Sequence, residues 1–179
     1  MTEVFLERQL TPPLDPTGVH ALVAGGQPCF QLHRVQWQRS FLAGDGQRML
    51  CWFRGPDAES VRIALRSAGA ETDGLWAGTV HDAPDLSPEL LAGANVAVVR
   101  SFAEPVALEE IQAIEDAGAW CLETHRVKFA RTFFSRDRQR MICFYQAPDA
   151  ESVRLAQRQA GMPVESVWAF ASVEPKQAD

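Results

Sequence analysis

Asp45–Arg62 reads DGQRMLCWFRGPDAESVR, and Asp137–Arg154 reads DRQRMICFYQAPDAESVR. Offsetting the chain by 92 residues carries Val4–Asp82 onto Val96–Glu174 without a gap. A fixed internal period decides a fold before any local pattern does, and two long copies mean a duplicated domain, not a solenoid. The expected organisation is a first repeat at 1–82, a linker at 83–95 (APDLSPELLAGAN), and a second repeat with a short C-terminal tail at 96–179. A unit of about 80 residues buries too little surface to be robust alone, so the copies are expected to pack on each other as an internal dimer.

Within each copy the pattern reads strand, helix, strand, strand, helix, strand. Val4–Leu10 and Val96–Phe102 are rich in branched apolar residues, as strands are. Asp15–Ala24 and Ala107–Ala117 read as helices; Leu108, Ile111 and Ile114 recur at helical spacing, with Gly118 as a stop. Cys29–Leu42 and Cys121–Phe134 read as long second strands, Arg48–Arg54 and Arg140–Gln146 as third strands. Asp45-Gly46 is a tight hairpin signal, weaker at Asp137-Arg138 where the glycine is missing. A two-residue turn sets Ser40 opposite Cys51 and Arg39 opposite Trp52, and likewise Thr132 opposite Cys143 and Arg131 opposite Phe144. Asp57 and Asp149, each after a proline, are N-caps of second helices that end at Gly69 and Gly161. Leu75-Trp76 and Val167-Trp168 mark the last strands.

This order is the split βαβ, or ferredoxin-like, arrangement. The predicted class is α+β: tandem ferredoxin-like βαββαβ repeats packed sheet to sheet as a pseudo-dimeric α/β barrel.

The 179 residues carry a net charge of −6, which argues against a nucleic-acid partner. The longest apolar runs are strand-length, too short to span a membrane. MTEVFLERQL has no basic segment leading an apolar one, so no signal peptide is expected and the predicted location is cytoplasmic, with Cys29, Cys51, Cys121 and Cys143 as reduced thiols.

The segments Trp37–Ser40, Asp45-Gly46, Cys51, Pro56–Arg62 and Ala68-Gly69, largely repeated from Arg131 to Gly161, resemble the nickel-binding-protein-like family of small ferredoxin-like domains. Its members are usually single domains that pair as homodimers, so the chain resembles such a dimer fused in tandem. The resemblance implies a non-catalytic protein that binds nickel or another divalent transition metal through histidines. Where many members carry histidine, however, this chain has Ala64 and Ala156 in the second helix and Arg39 and Arg131 in strand two.

Of four histidines, only His33 and His125 are repeat-equivalent, and imidazole suits nickel, copper and zinc. A shared ion would need those two to converge, with Glu123 assisting. Cys29 and His33, read on one strand, would lie roughly 13 Å apart, too far to share an ion. By the same reading Cys29 would lie far along the strand from Cys51, so no disulfide is expected inside a copy. The repeated arginines offer a second chemistry. Arg39 shares a strand face with Val35, Trp37 and Phe41 and lies opposite Trp52, and Arg131 shares one with Val127, Phe129 and Phe133 and lies opposite Phe144; Arg8 and Arg100 alternate with apolar residues in the first strands. Arginine among rings, facing an enclosed interior, can clamp a carboxylate or phosphate, or can stack on the rings and pair with a glutamate of the chain. The alternative functions are therefore a module holding a small anionic ligand between its two sheets, and a cofactor-free enzyme of the dimeric α/β-barrel kind. Further association between chains is left open.

Overall fold

The computed structural model describes residues 1–176, so the last three residues of the predicted tail lie outside the described ones. The chain folds as two compact units, and their boundary cuts through two strands. Unit 1 comprises residues 1–78 together with the segment that begins at Phe170, and unit 2 comprises 79–169.

In unit 1 the elements run β1 (Thr2–Gln9), α1 (Pro16–Leu32), β2 (Gln36–Ala43), β3 (Arg48–Gly55), α2 (Ala58–Ser67) and β4 (Leu75–Asp82). β1 lies between β3 and β4, all antiparallel, with Leu6 opposite Cys51 and Phe5 opposite Trp76. β2 pairs with β3. On its other side β2 receives the end of the chain's last strand, with Ser40 opposite Val173 and Ala43 opposite Phe170. One face of the sheet carries Val4, Leu6, Met49, Cys51 and Phe53 against Val19 and Phe30 of α1 and Val61 and Leu65 of α2, the core of the unit.

Unit 2 repeats the plan with β5 (Val96–Ser101), a helix in two pieces, α4 (Leu108–Ala117) and α5 (Ala119–Thr124), then β6 (Lys128–Ser135), β7 (Arg140–Gln146), α6 (Ala150–Gln159) and β8 (Ser166–Val173). β5 lies between β7 and β8, with Val98 opposite Cys143 and Val96 opposite Ala169. β6 pairs with β7 and, on its other edge, with β4. That second contact includes a bond from the Ala83 amide to the Ala130 carbonyl at 2.9 Å. Each repeat thus starts its last strand beside its own first strand and finishes it beside the second strand of the other repeat. Inside the predicted linker, α3 (Pro88–Gly93) is capped by Ser87, whose Oγ accepts the Leu90 amide. The tandem ferredoxin-like reading holds.

Local signals hold at the turns and caps. Ser40 faces Cys51, Arg39 faces Trp52, Thr132 faces Cys143 and Arg131 faces Phe144. Gly46 takes a positive φ of 72°, and its carbonyl accepts the Leu14 amide; a Cβ there would sit 2.2 Å from the Leu14 carbonyl oxygen. Arg138 adopts the same left-handed conformation without glycine's freedom, and Asp137 Oδ1 accepts the Gln139 amide across that turn. Asp57 and Asp149 cap α2 and α6 by accepting the Ser60 and Ser152 amides, both at 2.7 Å.

Two expectations are corrected. Strand two does not begin at Cys29 or Cys121: α1 runs through Gly25-Gly26-Gln27-Pro28 to Leu32, and α5 occupies the equivalent stretch. Glycine and proline weaken a helix interior, but Phe30, buried against Phe53 at 5.7 Å between ring centres, anchors the last turn of α1 to the core. The chain then reverses at Arg34 and Arg126, both at positive φ. Second, each β2-type strand carries a bulge, between Trp37 and Arg39 and between Phe129 and Arg131. The extra residue flips the alternation. Trp37 therefore joins the helix-side core while Arg39 faces the other way with Phe41, so the two do not share a face.

Candidate functional site

The imidazoles predicted as ligands sit at helix ends. His33 is the C-cap of α1 and His125 the C-cap of α5, one in each unit. Being four residues apart along a helix end, Cys29 and His33 are neighbours on one face, which removes the strand-length objection to their meeting. His125 Nε2 is within 2.9 Å of Gln159 Oε1 on α6. Among the described residues no three His, Cys, Asp or Glu side chains are grouped so as to hold a metal ion. All four cysteines are free thiols.

The arginines divide into two kinds. Arg39 pairs with Glu174 at 2.5 Å, and Arg131 holds Asp82 with two bonds of 2.5 and 3.1 Å. Both carboxylates come from strand ends of the other repeat. The aromatic residues opposite are engaged as well: Trp52 donates its indole N–H to Glu3 at 2.5 Å, and Phe144 packs edge-on to Phe133 at 4.8 Å. These arginines thus hold the chain's own acids.

Arg8 and Arg100 lie opposite Met49 and Met141, on the helix side of their sheets. Arg100 is fully buried. Its Nη1 donates to the Pro163 carbonyl at 2.8 Å, and its Nη2 to Tyr145 Oη at 3.0 Å and Gln157 Oε1 at 2.7 Å. Glu115 of α4 stands beside this guanidinium; burial raises its pKa, the attraction of Arg100 opposing. It is 7% exposed, and its Oε1 has no hydrogen-bond partner. Burial also drives the Tyr145 hydroxyl well above its ordinary value, so it stays protonated as a donor and acceptor.

Glu115 lines a cleft of about 720 Å³ wholly within unit 2. α3 brings Glu89, the preceding loop Asp85, α4 Asp116 and α5 Glu123, with Lys128 the one basic residue of the lining and Phe129 a wall. A Cβ on Gly118, between α4 and α5, would meet the Cβ of Ala160, the C-cap of α6, at 2.5 Å, so only glycine allows that approach. Five carboxylates around one amine make the cleft strongly acidic, a feature the sequence reading touched only at Glu123. The available signal was Glu115 itself, an acid one helical turn from buried Ile111 on the core-facing stripe of α4.

Residues 97–169 match the model of a family described as nickel responsive protein, SCO4226-like. The match lies within the second repeat. The solved structure of SCO4226 from Streptomyces coelicolor A3(2) is similar at 16% identity, over 41% of this chain and 91% of that one, with a TM-score of 0.37. Chlorite dismutase from Candidatus Nitrospira defluvii, in complex with imidazole, is similar over 97% of this chain and 91% of its own at 14% identity and a TM-score of 0.50. That likeness spans both repeats and carries the fold alone. No match is found among curated proteins. No helix among the described residues is long and apolar enough to cross a membrane.

Proposed function

We propose that the chain is a non-catalytic binding protein whose second repeat takes up a hydrated divalent cation in its acidic cleft, with nickel the first ion to test. The observation that carries this reading is the buried, unpartnered Oε1 of Glu115 in a lining of five acids. The description of the family as nickel responsive supports a metal-related role for the same repeat.

The residues do not fit an ion ligated wholly by protein, since no three ligating side chains are grouped among the described residues. Carboxylate and amide oxygens suit hard ions that keep much of their water shell. Glu115, Asp116 and Glu123 would then accept hydrogen bonds from that shell. The fold shared with chlorite dismutase transfers no residue of a reactive site to this chain.

Calorimetric titration of the full chain with nickel, manganese and magnesium tests the reading. The expected result is one ion per chain, with affinity lowered at least fivefold by Glu115→Gln and by Glu123→Gln. Absence of heat with all three ions sinks the proposal. Loss of binding in a His33→Ala, His125→Ala double variant, with both carboxylate variants unaffected, would move the site to the imidazoles.

A further inference from the structure

The two repeats treat their first-strand arginine differently, and the difference leaves a cavity. Around Arg100 the acceptors are Tyr145 and Gln157, with Glu115 as the countercharge. The residues 92 positions earlier are Phe53, Leu65 and Val23. Arg8 is therefore set among apolar side chains where Arg100 is set among polar ones. Among the described residues Arg8 makes no hydrogen bond or ion pair. It lines a cavity of about 70 Å³ between the sheet and both helices of unit 1, together with Val23, Phe30, Phe53 and Leu65. The two polar groups on the same sheet wall are already engaged: Ser40 Oγ donates to Cys51 Sγ at 3.0 Å and accepts the Trp37 indole N–H at 3.0 Å. Leu22, Ala68 and Gly69, all exposed, mark the side open to solvent.

We infer that this cavity is a binding site for a short-chain aliphatic monocarboxylate, its head on the Arg8 guanidinium and its chain among Val23, Phe30, Phe53 and Leu65. A guanidinium has five N–H donors in a planar fork, and a carboxylate meets two of them at once. In unit 2 the carboxylate of Glu115 supplies the negative charge for this position; in unit 1 the ligand supplies it. Size sets the class. A dry apolar cavity of about 150 Å³ takes the six carbons of benzene, so about half that space takes an alkyl tail of roughly three carbons, that of butyrate. A phosphate or dicarboxylate would bring a second charge that the apolar walls leave unpaired, which burial penalises. The site lies in unit 1, so it stands or falls independently of the acidic cleft.

Butyrate is the probe. In NMR titrations of the full chain, butyrate should bind one to one and give intermolecular NOEs to the Val23 and Leu65 methyl groups, whereas butylammonium should not bind. Arg8→Met should weaken butyrate at least tenfold. Val23→Glu, which installs the acid that unit 2 already has, should abolish binding by pairing with Arg8. Butyrate binding unchanged in either folded variant overturns the inference. So does the absence of those NOEs at tens of millimolar butyrate, a test that needs only the unmodified chain.

Discussion

Arg39 Nη2 lies 2.5 Å from Glu174 Oε1, joining the second strand of the first repeat to the last strand of the second. Its counterpart, Arg131 with Asp82, makes the reciprocal connection. Both pairs close a strand exchange that the apolar contacts beneath them hold in place. Glu174 is 57% exposed, so the pair itself is worth little: a double-mutant cycle on Arg39 and Glu174 should return about 0.2–1 kcal/mol, shrinking with salt. The contribution comes from below. Phe170 is buried and packs edge-on to Phe41 at 5.1 Å, and Phe170→Ala should cost about 3–5 kcal/mol in urea denaturation. A coupling energy that matched the Phe170 loss would reverse this ranking.

The Arg100 cluster makes unit 2 sensitive to a substitution that unit 1 already carries. Gln157→Leu copies Leu65, but it takes from a buried guanidinium an acceptor 2.7 Å away. The expected loss is about 1–3 kcal/mol by chemical denaturation, and supplying a carboxylate acceptor instead, with Gln157→Glu, should recover part of it. If Gln157→Leu proved neutral or stabilising, the cluster would not be a stabilising network.

Acid stability should report the helix caps. The Ser60 and Ser152 amides, bonded to Asp57 and Asp149, hold both carboxyls below their ordinary pKa. A depressed folded pKa means that the stabilisation is complete above the unfolded value of about 3.9 and is lost as pH falls through the folded one. Asp57→Asn with Asp149→Asn keeps the caps but removes the charge. The parent's advantage over this variant should be present at neutral pH and vanish in acid. Parallel curves down to pH 2 would contradict the assignment.

Thiol chemistry should separate Cys29 from the other three. It alone is half-buried; Cys51, Cys121 and Cys143 are buried, and burial pushes the Cys51 thiol up to about 11. Reactivity needs thiolate and access. Maleimide at neutral pH, followed by peptide mass spectrometry, should label Cys29 first and reach Cys51 only on unfolding. Early labelling of Cys51 would mean that unit 1 opens readily around it.

What the chain disclosed in advance is local or periodic. The repeat, the hairpin register at Ser40 and Cys51, and the caps at Asp57 and Asp149 each depend on a few adjacent residues, and each is where the pattern put it. The failures depend on long-range packing. Gly25-Gly26-Gln27-Pro28 reads as a break, but Phe30 finds Phe53 across the core and the helix persists to Leu32. The bulge at Gln38 leaves no mark in composition, and it alone reversed the face assigned to Trp37 relative to Arg39. Arg8 and Arg100 read in the sequence as Arg39 and Arg131 do, as repeated arginines that either clamp an anion or stack on rings. The pleat puts them instead on the helix side, where the residue types at Val23 and Glu115 set the polarity of each neighbourhood. The candidate sites were thus legible mainly as differences between the copies.

Cutting the backbone between Leu86 and Ser87 would not yield two free-standing domains. Each fragment would keep three strands and half of a fourth in its own unit while lending the other half to its neighbour, so the pieces should co-migrate as a two-chain complex. A single-copy ancestor would have had to trade those same half-strands between separate molecules, and fusion into one polypeptide would have made an obligatory encounter automatic.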